Sequence, residues 1–218
     1  MITTGIGNLD ELLGGGIRGG MITDIYGPSG SGKTQLLLQI CVNSLTHGGM
    51  ILYQDATGSF RPERLIEILK VKGMDPKLLD RMIVGRVTNT AEQLNYVDKI
   101  SEIENLNLVV IDNITDLFSF EYSKESNSLA KHIAFMEYMH KLAHVTVKRQ
   151  IPVVVTNMTR KSGDEEKESL DRSISMFTQQ KIKLEKTGQK YMAQVFPSFG
   201  GKKMTNYIIT HNGLEDSP

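Results

Sequence analysis

A glycine-rich octapeptide has the residue types and the spacing needed to hold a phosphate group. Residues 27–34 read Gly-Pro-Ser-Gly-Ser-Gly-Lys-Thr and match G-x-x-x-x-G-K-S/T at every fixed position. Glycines let successive backbone N–H groups converge on an anion, because they accept positive φ angles and put no side chain in the way. Lys33 is then expected to reach the outer phosphates of a nucleotide, and the Thr34 hydroxyl to bind Mg²⁺.

A strand before this loop and a helix after it are expected to position the chemistry. Residues 21–26 read as the strand, and residues 33–47 as a helix whose free amides and dipole also face the phosphates. A chance glycine-rich turn is the alternative. The predicted nucleotide-binding residues of this segment are Gly27, Ser29, Gly30, Ser31, Gly32, Lys33, Thr34 and Gln35.

Two carboxylates follow apolar runs that read as buried strands. The run 50–55 ends at Asp55, and the run 108–111 is followed by Asp112. Near-continuous apolar character is typical of strands buried on both faces of a parallel sheet, where ligands bind beyond the carboxyl ends. Asp112 is therefore predicted to act at the Mg²⁺ ion, as a ligand or hydrogen-bonded to one. An Asx turn with Asn113 is the alternative.

The composition is that of an ordinary globular chain without bulk charge. Of the 218 residues, 39% are hydrophobic, and 25 basic residues balance 25 acidic ones. A chain of this length can bury its own core, so one domain spanning 1–218 is expected. Zero net charge gives no general attraction to nucleic acid. The lone Cys41 cannot form an internal disulfide, and neither a leader nor a membrane-spanning run is evident, which predicts a cytoplasmic protein.

The periodicity beyond the loop helix predicts alternating helices and strands. Asn8 as N-cap, with Glu11 in the capping-box position, predicts a short first helix. Pro62 is predicted to start a helix that runs to Gly73. A strand over 82–87 and a helix over 90–105 are expected to precede the Asp112 strand, and another strand is expected over 151–156.

A long helix over 129–149 carries two features. Three- and four-residue steps predict one core-facing stripe, made of Leu129, Ile133, Met136, Ala143 and Val147. His140 and His144 have the spacing of a metal-ligating pair, but no third ligand is evident. Packed, hydrogen-bonded histidines are therefore the simpler interpretation.

Two polar stretches read as connections. Residues 118–128 lead to the long helix, and residues 157–175 read as a long mobile loop of the kind that often carries function. Beyond them, residues 181–185, 190–196 and 204–210 are predicted to form antiparallel strands at the sheet edge.

Several segments together resemble the core of the RecA-type recombinase family, specifically its archaeal RadA and RadB branch. Residues 4–17 are similar to the first segment of that core. Residues 53–64, Tyr-Gln-Asp-Ala-Thr-Gly-Ser-Phe-Arg-Pro-Glu-Arg, resemble the family segment Y-x-D-T-E-G-T-F-R-P-E-R, and residues 153–157 resemble the strand before its second DNA-facing loop. The size resembles that of RadB-type paralogues, which lack the N-terminal DNA-binding domain. The resemblance implies an α/β RecA-like P-loop NTPase core: a mainly parallel twisted sheet flanked by helices, with antiparallel strands at the C-terminal edge.

The resemblance also implies cofactors and residue roles. ATP and Mg²⁺ are the implied cofactors, Lys33 and Asp112 the catalytic residues, and Thr34 and Asp112 the metal-binding ones. Arg64 matches an arginine that stacks on adenine, although it also reads as a surface charge on the Pro62 helix. The segments 118–128 and 157–175 match the two loops that face DNA in the family.

Two departures from the family pattern concern hydrolysis. Thr57 stands where the family has the glutamate that activates water, and a hydroxyl with no base beside it cannot accept that proton effectively. Met158 replaces a glutamine that senses the γ-phosphate, and a thioether is a poor hydrogen-bonding substitute. We expect tight nucleotide binding and weak, DNA-dependent hydrolysis. Asp55 and Glu63 are candidate substitute bases, although neither has the family position.

The sequence specifies DNA contact less clearly. Residues 157–172 carry four basic side chains and five acidic ones, Asp164 and Glu168 among the latter, so a solvated loop is an equal alternative. Phe177 is a candidate for base stacking, with a core position as the alternative. The candidate DNA contacts, the last two of which follow Gly200 and Gly201, are Arg160, Lys161, Arg172, Lys202 and Lys203.

These inferences predict an ATP-binding accessory protein of homologous recombination and DNA repair. It is expected to act on single-stranded DNA and through a recombinase or another RecA-family subunit. No association with a membrane is expected. A nucleotide-gated scaffold that binds no DNA is the alternative favoured by the neutral charge. A KaiC-like signalling ATPase is a third possibility, against which the Phe-Arg-Pro-Glu-Arg run at 60–64 argues.

Overall fold

The chain forms a broad sheet with helices on both faces. A computed structural model describes residues 1–162, 165–196 and 201–217. The strands are β1 (Ile22–Gly27), β2 (Met50–Asp55), β3 (Met82–Arg86), β4 (Leu106–Asp112), β5 (Val153–Ser162), β6 (Glu165–Glu168), β7 (Gln180–Thr187), β8 (Lys190–Phe196), β9 (Lys203–Thr210) and β10 (Gly213–Asp216). The helices are α1 (Gly7–Leu12), α2 (Lys33–Leu45), α3 (Pro62–Val71), α4 (Thr90–Glu102), α5 (Asp116–Glu121), α6 (Ser128–Arg149) and α7 (Asp171–Ile174).

The strand order confirms the predicted mixed architecture. It runs β10-β9-β8-β7-β1-β5-β4-β2-β3, with β6 paired to β5 outside that path. The six strands from β7 to β3 are mutually parallel, whereas β8, β9 and β10 are antiparallel additions at the C-terminal edge. The antiparallel part therefore begins one strand later than predicted, because β7 runs parallel to β1.

The strand β4 is apolar from Leu108 to Ile111 because both sheet faces are covered there. In β4, Leu108 and Val110 pack in the core under α1, α2 and α3. Val109 and Ile111 point to the opposite core, which α4, α5 and α6 cover. This alternation explains why the sequence run lacks polar residues until Asp112, and it places that carboxylate at the carboxyl edge of the sheet.

The start of α1 differs from the prediction. The helix begins at Gly7 with Ile6 as its N-cap, and no side chain in its own segment caps it. The Asp216 carboxylate accepts hydrogen bonds from the Gly7 N–H at 2.8 Å and the Asn8 N–H at 3.0 Å. A negative charge there also complements the helix dipole. The predicted Asn8 cap is therefore wrong, since the cap comes from the far end of the chain.

The predicted core face of α6 is also wrong. Leu129, Ile133 and Val147 are 74%, 51% and 57% exposed. The opposite face is buried instead, through Phe135, Tyr138, Met139, Leu142 and Val145. Phe118 of α5 packs edge-on against Phe135, with ring centroids 5.2 Å apart, so bulky aromatic residues determine which face is turned inward.

Both predicted connections contain regular structure. Residues 118–128 include most of α5 and a 3₁₀ turn at Glu125–Asn127. Residues 157–175 are not a long loop, because β5 continues to Ser162 and β6 pairs back against it with Thr159 opposite Glu168. Asp164 and Gly200 lie outside the described residues. Among the described helices, none has the length and apolar character needed to cross a membrane.

Candidate nucleotide-binding site

The glycine-rich loop occupies the predicted turn between β1 and α2. Gly27, Gly30 and Gly32 have φ angles of 155°, 76° and 92°, a region that strongly favours glycine. A Cβ on Gly27 would lie 2.1 Å from the Leu184 carbonyl oxygen, so β7 also requires glycine there. The loop borders a cavity of about 330 Å³, lined by Ser29, Gly30, Gly32, Lys33, Thr34, Gln35, Thr57, Ser59, Asp112, Asn113 and Met158.

Lys33 lies across this loop. Its ammonium group donates to the carbonyl oxygens of Gly27 at 2.8 Å and Pro28 at 2.9 Å. Burial lowers the pKa of Lys33, while the nearby carboxylates of Asp112 and Asp116 act in the opposite direction. The positive charge is therefore held close to the backbone that a phosphate would approach.

Asp112 is the polar centre of the cavity floor. Its Oδ2 accepts hydrogen bonds from the Thr34 hydroxyl at 3.1 Å and the Tyr53 hydroxyl at 3.0 Å, and its Oδ1 accepts one from the Thr156 hydroxyl. Burial raises the pKa of Tyr53 well above its usual range, so the phenol remains a donor. These contacts orient a carboxylate beside the Thr34 hydroxyl, an oxygen pair suited to Mg²⁺.

The Thr34 and Asp112 oxygens suit a magnesium ion that also binds phosphate oxygens and waters. They are too few for a site built entirely from protein ligands. Mg²⁺ is commonly bound through one or two carboxylates together with phosphate oxygens and waters. Within the described ranges, no group of three or more His, Cys, Asp or Glu residues could hold a metal ion. His140 and His144 are both exposed on α6, away from this cavity, and the described residues give them no third ligand for a metal site.

Asp55 shapes the turn that carries Thr57. Its Oδ1 accepts hydrogen bonds from the backbone N–H groups of Thr57, Gly58 and Ser59 at 3.0, 2.7 and 3.3 Å, and from the Thr57 hydroxyl at 3.1 Å. The Arg86 guanidinium lies 3.5 Å from its Oδ2. Because its oxygens already accept these donors, Asp55 is poorly suited to take a proton from water, contrary to its suggested role as a substitute base.

Apart from Asp112, the described lining residues include no proton acceptor of carboxylate type. Thr57 and Ser59 follow β2, Met158 lies on β5 beside Gly27, and the Thr57 and Ser59 hydroxyl oxygens are 2.6 Å apart. We call these three residues the second wall. Among the described lining residues, Asp112 is the single acid. Glu63 is exposed on the first turn of α3 and does not line the cavity, so the second suggested substitute base also lies outside it.

Arg64 is held beside the loop helix. Its guanidinium donates to the Gln35 side-chain oxygen at 3.0 Å, to Glu67 at 2.8 Å and to the His211 carbonyl at 2.8 Å. The predicted adenine-stacking residue is thus fixed between α2, α3 and the turn after β9. It does not extend freely from α3 as a surface charge would. His211 was missed because 147 positions separate it from Arg64 in the sequence.

The candidate DNA contacts are not gathered in one place. Arg160 is exposed on β5 and Arg172 on α7, whereas Lys202 and Lys203 are exposed near the start of β9. Strands β5 and β9 are four steps apart in the sheet, roughly 19 Å at the usual strand spacing. Nothing is described for the Lys161 side chain. Phe177 is half-buried and packs against the core beneath α6, which favours the core alternative.

Sequence reasoning also missed Asn157 as an anchor of the β5–β6 hairpin. Its side-chain amide donates to Glu168 at 2.8 Å and to the Ser169 carbonyl at 2.7 Å, and its oxygen accepts from the Thr115 hydroxyl at 2.6 Å. Glu168 is buried and also pairs with Lys181. This acid is therefore turned inward and does not present its charge to solvent.

Asp24 lies buried beneath this hairpin. The Lys181 ammonium is 3.5 Å from its carboxylate. Burial raises the pKa of Asp24 well above its usual range, and the neighbouring Glu168 adds to the effect. The hairpin is consequently attached to the sheet through a buried polar cluster, and no local sequence pattern indicates it.

The fold and the site together define a RecA-like P-loop core. A loop with the P-loop sequence pattern follows the central parallel strand β1, and the Asp112 carboxylate of β4 meets the Thr34 hydroxyl at the carboxyl edge of the sheet. The chain belongs to the Rad51 family, whose family model matches residues 1–217. This confirms the family resemblance and argues against a KaiC-like protein.

Individual relatives support the same placement. The chain is 30% identical over 226 residues to the DNA repair and recombination protein RadB of Pyrococcus horikoshii, and the match covers 100% of this chain and 95% of that protein. It is 38% identical over 174 residues to the DNA repair and recombination protein RadA of Cenarchaeum symbiosum, covering 75% of this chain and 44% of that one. The chain spans about half the length of the RadA relatives, for example 54% of the one from Ignicoccus hospitalis.

Proposed function

We propose that this protein binds ATP with Mg²⁺, hydrolyses it slowly and serves as an accessory protein in homologous recombination and DNA repair. The observation that carries the proposal is the asymmetry of the cavity. One wall has Lys33, Thr34 and Asp112 beside the glycine-rich loop, whereas the second wall offers Thr57, Ser59 and Met158. The names of the RadA and RadB relatives support the repair role.

In this proposal the loop and its neighbours hold the nucleotide. The backbone N–H groups of Gly30 and Gly32, together with Lys33, bind the phosphates, while Thr34 and Asp112 hold Mg²⁺. Bound ATP supplies a phosphoanhydride bond whose cleavage needs an oriented water. Arg64, which is hydrogen-bonded to the cavity-lining Gln35, is the residue proposed to stack on the base.

Slow hydrolysis follows from the side chains of the second wall. Water attack on a phosphoryl group is accelerated mainly by positioning and electrostatic stabilisation, with a residue that orients the nucleophile. The Thr57 hydroxyl is engaged with Asp55 and Ser59 and has no free base beside it. Lys33 and Asp112 thus contribute to charge stabilisation, and water orientation is the missing element.

The role on DNA is proposed as direct contact with a single strand, together with action through a recombinase or another RecA-family subunit. The candidate contacts are Arg160, Lys161, Arg172, Lys202 and Lys203. A nucleotide-gated scaffold is the competing function, and the separation of Arg160 from Lys202 and Lys203 favours it. Strong binding to the DNA backbone would be expected if basic side chains formed a continuous stripe along one groove.

Two measurements on one preparation test these functions. ATP turnover is measured with and without single-stranded DNA, and binding of a fluorescent oligonucleotide is measured across a salt series. DNA affinity that falls steeply with salt, with slow turnover that the strand increases, supports the accessory function. ATP binding without detectable DNA binding at low salt supports the scaffold, and the absence of ATP binding contradicts both.

A further inference from the structure

The outer face of α6 carries a largely apolar stripe that the described part of the chain leaves mostly uncovered. Its members follow one another at steps of four, three, four, three and four residues. We call these residues the outer stripe: Leu129, Ile133, Met136, His140, Ala143 and Val147. Leu129, Ile133, His140 and Val147 are exposed, and Met136 and Ala143 are partly covered.

This stripe is additional to the one that attaches the helix to the core. A surface helix needs a single apolar face, and α6 already buries Phe135, Tyr138, Met139, Leu142 and Val145. Apolar residues that alternate at steps of three and four, and so repeat every seven residues, are instead typical of a coiled-coil seam. In such a seam each side chain inserts between side chains of a facing helix. A shallow cavity of about 440 Å³ along the stripe, bordered by His140, Ala143 and Val147, gives room for such side chains.

The charges around the stripe leave it available. Lys141 is paired with Asp98 of α4 at 2.8 Å. Arg149 donates to the carbonyl oxygens of Ile100, Ser101 and Ile103 at the end of α4. These two cations are engaged within the chain, and the exposed Glu137, His144 and Lys148 border the stripe.

The order of side-chain sizes fits a second copy of α6 running in the opposite direction. With Tyr138 at the midpoint, Leu129 lies opposite Val147, Ile133 opposite Ala143, and Met136 opposite His140. Each large residue then meets a smaller or flatter one, as interdigitated packing requires. A parallel pair would place Ala143 against Ala143 and leave a gap, which costs stability.

Charge complementarity favours the same arrangement. In the antiparallel pair, Met136 of one copy faces His140 of the other copy. Glu137 follows Met136 in the sequence and therefore lies next to that His140. The two-fold axis repeats this contact, so two carboxylate–imidazole pairs border the apolar seam. Interhelical pairs of this kind at flanking positions commonly select the partner and the orientation of a coiled coil.

We propose that the outer stripe is a two-fold dimer interface in which α6 packs antiparallel against α6 of a second copy. The stripe spans 18 residue steps, about 27 Å at the helical rise. Six side chains per copy form a small interface, so the dimer should be reversible and concentration-dependent. The proposal does not rest on nucleotide binding, since none of the six residues lines the nucleotide-binding cavity.

A matched pair of variants tests the interface. Ile133→Glu places a charge in the middle of the stripe, and Val71→Glu places the same charge on α3 at a residue of similar exposure, 49% against 51%. Sedimentation velocity over a concentration series should show a monomer–dimer equilibrium for the wild type and for Val71→Glu, and a monomer for Ile133→Glu. Thermal melts followed by circular dichroism verify that both variants fold.

Cysteine cross-linking tests the orientation. The only natural cysteine, Cys41, is buried. A double variant, Ile133→Cys with Ala143→Cys, should form an intermolecular disulfide under mild oxidation, whereas Ile133→Cys alone should not. Within one helix the two positions are about 15 Å apart, too far for an internal bond.

Three results would overturn the proposal. A wild type that stays monomeric at its highest soluble concentration removes the dimer, and capture of a helical partner by such a monomer would assign the stripe to another protein. A dimer that persists in Ile133→Glu places the interface elsewhere. Cross-linking through Ile133→Cys alone shows parallel packing.

Discussion

The two walls of the cavity above β1 differ in completeness. On the loop wall, the Lys33 ammonium, the Thr34 hydroxyl and the Asp112 carboxylate converge, with Tyr53 and Thr156 orienting the acid. On the second wall, the turn held by Asp55 presents hydroxyls, and β5 presents a thioether. In the proposed function the first wall holds a triphosphate with its metal, and the second, among the described residues, offers no carboxylate to act on water.

This difference separates binding from catalysis in physical terms. Holding phosphates needs fixed donors and positive charge, and in the proposed function the loop backbone supplies the donors and the Lys33 side chain supplies the charge. Cleaving them needs a base or a water-orienting group placed on the opposite side, which contributes typically 10²- to 10⁴-fold in rate. A protein can therefore keep the first property without the second, and the following predictions test that separation.

The largest effect is expected from placing a carboxylate on the second wall, at Thr57. Thr57→Glu should raise the ATP turnover rate roughly 10²-fold, the lower end of the contribution of a positioned general base. Thr57→Gln is the matched control, because it has the same length and no basic carboxylate. The rates are measured by phosphate release with saturating ATP. Equal rates for the two variants would mean that the missing carboxylate does not limit hydrolysis.

The complementary change weakens the loop wall. Lys33→Ala removes a charged donor, which should lower ATP affinity roughly 10- to 100-fold, corresponding to the 1.5–3 kcal/mol of hydrogen bonds to charged groups. Isothermal titration calorimetry measures this affinity. Lys186→Ala is the control, since Lys186 borders Pro28 and Ser29 outside the cavity. If both variants bind ATP like the wild type, the loop is not the phosphate site.

Disturbing the orientation of Asp112 should have a smaller but measurable effect on Mg²⁺ binding. Thr156→Val keeps the shape of the side chain and removes its hydrogen bond to Oδ1. Loss of a group that orients a metal ligand commonly lowers metal affinity 10- to 100-fold. We therefore expect that ATP binding by this variant needs about 10-fold more Mg²⁺. Thr146→Val, another buried threonine, bonded to Leu142 of α6, is the control for general destabilisation. An unchanged Mg²⁺ titration would argue that Asp112 does not serve the metal.

The smallest effect concerns communication between the nucleotide and the β5–β6 hairpin. In the Met158→Gln variant, the DNA affinity measured with ATP should differ about 5-fold from the DNA affinity measured without ATP. A difference of about 5-fold is near the lower limit of the usual coupling between two binding sites. The wild type and Met158→Leu should show nearly equal affinities in both states. Fluorescence anisotropy with a single-stranded oligonucleotide measures this. Strong coupling already present in the wild type would contradict the account of Met158.

Local patterns were sufficient for the loop wall. The spacing of Gly27, Gly32, Lys33 and Thr34 requires a particular backbone, and an apolar strand that ends in Asp112 has its carboxyl end fixed by the parallel sheet. Contacts between distant segments were not predictable in the same way. The Arg64–His211 and Asp216–α1 hydrogen bonds join residues 147 and 209 positions apart, and neither leaves a local pattern.

The fold was predictable where one periodicity dominates. Strand β2 has the predicted limits, and helices α2, α3 and α4 end within three residues of them. Helix α6 has two apolar stripes, and the more regular one, from Leu129 to Val147, proved to be exposed. Side-chain volume, through Phe135 and Tyr138, determined which stripe is buried. The β5–β6 hairpin escaped prediction because its acidic strand has no apolar alternation and is anchored by Asn157 and Glu168.

The most direct test of the central claim measures binding and chemistry on one wild-type sample. Radiolabelled ATP with Mg²⁺ is mixed with excess protein, and the bound nucleotide is followed as ATP and ADP over time. The account predicts that ATP binds and remains largely uncleaved, with a rate at least roughly 10²-fold below that of a full-length RadA assayed in parallel. Cleavage at the RadA rate, or failure of ATP to bind at all, would contradict it.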